Sequence, residues 1–122
     1  MYEPYYVVRR DKDHVRAYVV VNRRGAEITR DSGVPYNRDG MAELSWIILT
    51  DHFRRKEGFG VIDDDLSSRR AVVLCEDFWL EKLGMHLTSG DRHLITAGEV
   101  TDFVHWKELQ YRHRQPQKTL SL

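Results

Sequence analysis

The chain contains one cysteine, Cys75, in 122 residues. No internal disulfide can form, and no paired cysteines are present to hold a structural zinc ion. Cys75 falls on the apolar side of a helical pattern, which predicts a small buried hydrophobe in a reducing compartment rather than a reactive thiol. No apolar run approaches the roughly 18 residues that cross a bilayer. The opening MYEPYYVVRR lacks the apolar segment of a secretory leader behind a basic start, so a cytoplasmic chain with no membrane association is expected. The formal net charge is zero, without the basic excess that marks most nucleic-acid binders. Internal repeats are absent as well.

What is present suits a single domain. Apolar residues make up 41% of the chain and aromatic residues 11%, enough to close one hydrophobic core without metal or disulfide, and burial of Trp46, Trp79 and Trp106 is expected. The organising stretch is Leu66 to Leu83, LSSRRAVVLCEDFWLEKL. Ala71, Leu74, Cys75 and Phe78 recur at helical spacing, with Val72, Trp79 and Leu83 as a second stripe. Asp65 or Ser67 can cap its start, and Gly84 its end.

In chain order, Tyr5 to Arg9 reads as a frayed first strand. His14 to Val21 follows as the clearest strand, with Val15, Ala17, Val19 and Val21 on one face and a mixed set on the other. A hairpin loop at Asn22 to Gly25 leads into Ala26 to Arg30. Asp31 to Asp39 is a loop in which Pro35 holds Val34 extended. Asp39 is then the expected cap of a helix over Gly40 to Glu57, which ends in Arg54, Arg55 and Lys56 as the helix dipole favours.

After Gly84, two short extended pieces around Ser89-Gly90-Asp91 predict a second hairpin with Leu87 and Leu94 inward. Thr96-Ala97-Gly98-Glu99 is a capping box, with Ile95 and Val100 as its hydrophobic staple. The third helix it opens should bury Val100, Phe103, Val104 and Trp106 and run to about Tyr111. The fold expected is α+β, a small antiparallel sheet packed against three helices. Residues 1–111 form the single domain and 112–122 a polar, disordered tail.

The order of N-terminal hairpin, a helix reading ELSWIILTDHF, a helix reading LCEDFWLEKL and a strand entering a capped helix, LITAGEVTDFV, resembles a domain-of-unknown-function family of small prokaryotic and phage proteins. The likeness covers roughly residues 14 to 105, with Asp51-His52-Phe53 closing one helix and Asp77-Phe78 within the next. It departs at VPYNRDG, where that family has a segment rich in glycine and aromatics. The resemblance implies no particular activity or cofactor. Occurrence of that family in mobile elements implies a host-directed accessory protein.

The candidate chemistry is sparse. Asp51, His52 and Asp77 would form an acid and base set if two helices brought them together, because a carboxylate orients imidazole and raises its pKa. Neighbouring helical residues diverge, however, and Asp51 can pair with Arg55 one turn on. No serine, cysteine or further histidine completes a catalytic set, so no catalytic residue is assigned. Asp63, Asp64 and Asp65 lack the spacing of a calcium loop and suit the positive end of a helix. His86, Asp91 and His93 offer too few zinc ligands, and Gly58-Phe59-Gly60 follows a helix where a phosphate loop would precede one. No metal site or cofactor is expected.

Charge is uneven along the chain: residues 1–38 carry eight basic and five acidic side chains, 39–83 six and ten, and 84–122 five and four. A basic hairpin region opposing an acidic middle favours steered docking or self-association. The leading expectation is therefore a non-enzymatic protein-binding module, encoded by a mobile element and inhibiting a host system such as bacterial immunity. Its binding residues would be Arg23, Arg24 and Tyr36, with Asp63 and Asp64 opposite in sign. A nucleic-acid-binding accessory protein is the first alternative, using the tip Arg23 and Arg24 with Arg112, His113, Arg114 and Lys118 of the tail. The second alternative is a small enzyme built on Asp51, His52 and Asp77. A homodimer is compatible with each.

Overall fold

The computed structural model describes residues 3–21, 24–29, 33–57, 64–83, 87–88 and 90–114. The elements run β1 (Tyr5–Asp11), β2 (His14–Val21), β3 (Arg24–Glu27), β4 (Val34–Pro35), α1 (Arg38–Glu57), α2 (Asp64–Phe78, continued by a widened π turn over Trp79–Leu83), β5 (Arg92–Thr96) and α3 (Ala97–Arg114). The sheet is antiparallel throughout, in the order β3-β2-β1-β5, with β4 pairing the start of β2. This is the α+β architecture expected, one sheet and three helices.

The first strand departs from its expectation. β1 is a central strand, flanked by β2 and β5, and it is paired along its whole length. Its valine and tyrosine content suits such a position, and Lys12 takes the positive φ of the tight turn into β2. One face of the sheet is formed by Tyr6 and Val8 of β1, Val15, Ala17 and Val19 of β2, and Ile95 of β5, none more than 1% exposed. Against it lie Met41, Leu44, Ile48, Leu49 and Phe53 of α1, then Ala71, Leu74 and Phe78 of α2, and Val100, Phe103 and Val104 of α3. Phe78 and Phe103 meet edge to face with centroids 5.2 Å apart, which ties α2 to α3.

α1 starts two residues earlier than expected, at Arg38 rather than Gly40. Asn37, not Asp39, closes the helix: its Oδ1 accepts from the Gly40 N–H at 2.8 Å, and its carbonyl accepts from the Met41 N–H at 2.9 Å. Both side chains are competent caps, and the place where β4 ends decides between them. Gly40 is required there, because a Cβ would stand 1.7 Å from the Pro35 carbonyl oxygen.

α2 opens at Asp64, so Asp65 lies within the helix rather than capping it, and Gly84 falls outside the described residues. Val72 is exposed, while Trp79 and Leu83 are buried. The π turn inserts a residue into the helical phase and brings Trp79 and Leu83 inward. Cys75 is half-buried rather than enclosed, its Sγ donating to the Val72 carbonyl at 3.3 Å.

The second hairpin does not form among the described residues. Leu87 is buried in an irregular segment, and Arg92–Thr96 is a single strand on β1. That register turns Ile95 inward and leaves Leu94 53% exposed. Thr96 does cap α3, its Oγ1 accepting from the Glu99 N–H at 3.0 Å, with Ile95 and Val100 both fully buried beneath. The Gly98 N–H goes to Glu3 near the start of the chain. α3 extends to Arg114, past the expected end at Tyr111, and Trp106 faces solvent at 63% exposure. Trp46 is also partly exposed, which leaves Trp79 as the enclosed tryptophan. No helix among the described residues is long and apolar enough to cross a membrane.

Candidate functional site

Of the five residues expected to bind, Arg23 and Asp63 lie outside the described residues. Arg24 opens β3 opposite Val21, and Asp64 opens α2; their side chains also lie outside what is described. Tyr36 lies between β4 and α1, half-buried. The Arg10 guanidinium stacks over its ring at 3.6 Å from the centroid, and its N–H donates to the Asp13 carbonyl at 2.7 Å. Arg10 in turn donates to the Leu87 carbonyl at 2.8 Å and the Lys12 carbonyl at 2.9 Å. Tyr36 therefore anchors the end of the sheet to the turn before β5. The juxtaposed opposite charges expected at the hairpin tip and the aspartate run fall outside the described residues.

Asp51, His52 and Asp77 are each engaged separately. Asp51 accepts from the Tyr6 hydroxyl at 2.7 Å and from Arg55 Nε at 2.7 Å. Both burial and the Asp51 carboxylate push the Tyr6 phenol strongly up, so it stays protonated and donates. Asp77 accepts from the Tyr111 hydroxyl at 3.0 Å and lies 3.6 Å from Lys107, which also pairs with Glu81. These contacts fasten α2 to α3.

His52 is 6% exposed, and its Nε2 stands 3.4 Å from Thr101 Oγ1. The Thr101 hydroxyl donates to the Ala97 carbonyl at 3.0 Å, so at His52 it can only accept, and Nε2 carries the proton. Burial, helped by the nearby Lys56 and Arg70 charges and opposed by Asp51, lowers the His52 pKa to about 4. The imidazole is thus neutral at physiological pH. A cleft of about 380 Å³ beside it is lined by His52, Lys56, Arg70, Thr101, His105 and Glu108. Arg70 bridges that cleft to Glu108 at 2.8 Å and stacks on Phe53. Asp102 lines it as well, and the Thr101 hydroxyl there donates to the Ala97 carbonyl of its own helix. Among the described residues no His, Cys, Asp and Glu cluster could hold a metal ion, and His93 of the histidine pair contacts the Lys82 carbonyl instead.

The other face of the sheet is organised quite differently. Strand register aligns its side chains in three rows. Arg9 stands directly opposite Arg16 of β2 on one side and Arg92 of β5 on the other. In the next row Val7 lies between Tyr18 and Leu94, and in the third Tyr5 lies between Val20 and Thr96. Among the described residues no helix packs over these rows. Arg9, Arg92 and Leu94 are exposed, Tyr5, Arg16, Tyr18 and Val20 half-buried, and Val7, at the centre, is buried at 5% exposure beneath its neighbours' side chains.

Like charges facing each other across strands destabilise a sheet by a few tenths of a kcal/mol or more per pair, about 0.2–1. Two described carboxylates share this face: Glu27 of β3, opposite Tyr18 and one row from Arg16, and Asp11 at the end of β1. Asp11 lies 3.5 Å from Arg9. Arg16 and Arg92 have no carboxylate partner among the described residues, and the Arg16 Nε is buried without a hydrogen bond. Gly33, at φ +75°, packs on the Arg16 side chain, where a Cβ would come within 3.1 Å of its Cγ.

Sequence reasoning missed this row because its members are far apart in the chain: Arg9, Arg16 and Arg92 belong to three strands, and only the pairing of β5 with β1 aligns the third. The available signal was the alternation of β2, whose mixed face already contained Arg16 and Tyr18. Compared with family models, with curated proteins and with solved structures, the chain gives no match in any of the three.

Proposed function

We propose that this chain is a non-enzymatic protein-binding module whose working surface is the helix-free face of its sheet. The observation that carries the reading is the in-register row Arg16, Arg9 and Arg92 beside the apolar row Tyr18, Val7 and Leu94. A charged row next to an aromatic and aliphatic row is the composition of a docking surface, with arginine and tyrosine as its energetic anchors. Among the described residues only Asp11 pairs with the row, so like charges face each other across the strands, a cost that an anionic partner would reduce. The separate engagement of Asp51, His52 and Asp77 supports binding over catalysis.

Single-stranded nucleic acid would use the same arginines and stack bases on Tyr5 and Tyr18. The finer proposal, an inhibitor of a host system encoded by a mobile element, names a target rather than a surface. One experiment addresses all three: affinity capture from prokaryotic lysate with and without nuclease, comparing the wild-type chain with an Arg9→Glu, Arg92→Glu variant. A stoichiometric protein that survives nuclease and is lost by the variant supports the reading and names the target. Capture unaffected by the variant sinks the sheet face as the working surface, and capture abolished by nuclease moves the assignment to nucleic acid.

A further inference from the structure

β5 is the outer strand of the sheet, and its hydrogen-bonding phase can be read from its ends. The Arg10 N–H donates to the Asp91 carbonyl at 3.3 Å, and the Ala97 N–H to the Pro4 carbonyl at 2.9 Å. With the register Tyr6 to Ile95 and Val8 to His93, bonds to β1 fall at Asp91, His93, Ile95 and Ala97. The intervening residues Arg92 and Leu94 therefore direct their N–H and C=O groups away from β1. Among the described residues no strand pairs with that side.

The same two residues place their side chains on the open face, in the arginine row and the apolar row. An exposed edge is usually blunted by proline or by brevity, as at β4 with Pro35 and at the short β3. β5 instead presents Leu94, 53% exposed, at its centre.

We infer that an extended acidic segment of the partner protein adds as a further strand to the outer edge of β5, hydrogen-bonding Arg92 and Leu94. This rests on the reading of the sheet face as the working surface. Strand addition continues each row by one position. The residue opposite Arg92 extends Arg16, Arg9 and Arg92, and only a carboxylate there relieves the row. The residue two places along faces Leu94 and is apolar. The recognised pattern is therefore acidic-x-apolar, with the intervening residue on the other face.

A second copy of this chain fits less well. Antiparallel self-pairing centred on Leu94 sets Arg92 against Thr96, and pairing centred on Arg92 sets two arginines together; neither brings a carboxylate to the row.

The test uses the full chain with nitrogen-15 label and a short soluble peptide in which threonine alternates with glutamate and valine in turn. Saturable binding is expected, with amide exchange at Arg92 and Leu94 slowed at least about tenfold while His93 and Ile95, already bonded, change little. Replacing the glutamates by lysine should weaken binding at least about tenfold. Leu94→Pro removes an edge donor without removing a bond to β1, so that variant should keep its cooperative unfolding and lose the peptide.

Binding that perturbs Arg9 and Arg16 but leaves the Arg92 and Leu94 amides unprotected overturns strand addition, and leaves the face itself to be judged by the capture experiment. Failure of the glutamate peptide to bind overturns the acidic pattern in the same way. Protection of these amides that rises with protein concentration in the absence of peptide assigns the edge to a second copy, and also overturns the inference.

Discussion

The two faces of the sheet are made by alternate residues of the same three strands, yet they obey opposite rules. On the inner face Tyr6, Val8, Val15, Ala17, Val19 and Ile95 are all but inaccessible to water. Its one strand hydroxyl is matched to a carboxylate, Tyr6 to Asp51 at 2.7 Å, and that carboxylate to Arg55. On the outer face three arginines stand in register, and among the described residues Asp11 alone of the carboxylates pairs with them. Residue parity thus separates a buried apolar face, which carries the core, from a face that bears charged and aromatic side chains.

The sharpest way to break that separation is at Leu94 and Ile95, which are adjacent in β5 and opposite in role. Ile95→Ala should cost about 2–5 kcal/mol, because it leaves a cavity between the sheet and α3. Leu94→Ala should stay within about 0.5 kcal/mol. Chemical denaturation of both variants checks the pair, and similar losses would show that the outer face is also covered.

A second constraint inside concerns protonation, where burial holds His52 neutral. The ordinary imidazole pKa of 6.5 is lowered to about 4 in the folded state. Above the unfolded value both states are neutral and the contribution of this group is whole. As the pH falls, the unfolded chain takes up a proton first and the folded chain resists, so stability declines from about pH 6.5 to about pH 4 and then levels, by roughly 3 kcal/mol at most. Denaturation of the wild-type chain and His52→Gln across that range should show this slope in the wild type and not in the variant. Equal slopes would mean that His52 is accessible to water in the folded state.

Tyr6→Phe probes the inner polar contact directly. It removes the phenol while leaving Asp51 paired with Arg55, so the expected loss is about 1.5–3 kcal/mol, the range for a hydrogen bond to a charged group. A loss no larger than that of an exposed tyrosine would place the contact in solvent.

Much of this division was legible beforehand, because alternation in β2 and helical spacing in α2 are local. Val15, Ala17 and Val19 followed from the first, and Ala71, Leu74 and Phe78 from the second. What escaped depends on partners distant in sequence. Leu94 and Ile95 are equally apolar, and only the register against β1, fixed where Thr96 caps α3, chooses between them. Asp39 and Asn37 are equally good caps until β4 fixes where the helix can begin. Trp106 satisfied the helical spacing of α3, but no layer lies on that side among the described residues. The arginine row needs the whole strand order before it exists at all.

That dependence makes Arg9 the most informative residue for the comparison, although its effect on stability is the smallest. It is the middle member of the row, so replacing it relieves two like-charge pairings, with Arg16 and with Arg92, and among the described residues forfeits the exposed Asp11 pair. Arg9→Gln should therefore leave the fold unchanged or raise its stability by up to about 0.5 kcal/mol, an effect that shrinks as salt screens the row. A core or structural arginine would behave in the opposite way. If the substitution instead destabilises by more than about 1 kcal/mol in thermal or chemical unfolding, the row is relieved within the folded chain and holds no unmet charge for a partner. If stability holds or rises while capture of the partner falls, Arg9 is retained for recognition at the expense of the sheet that carries it.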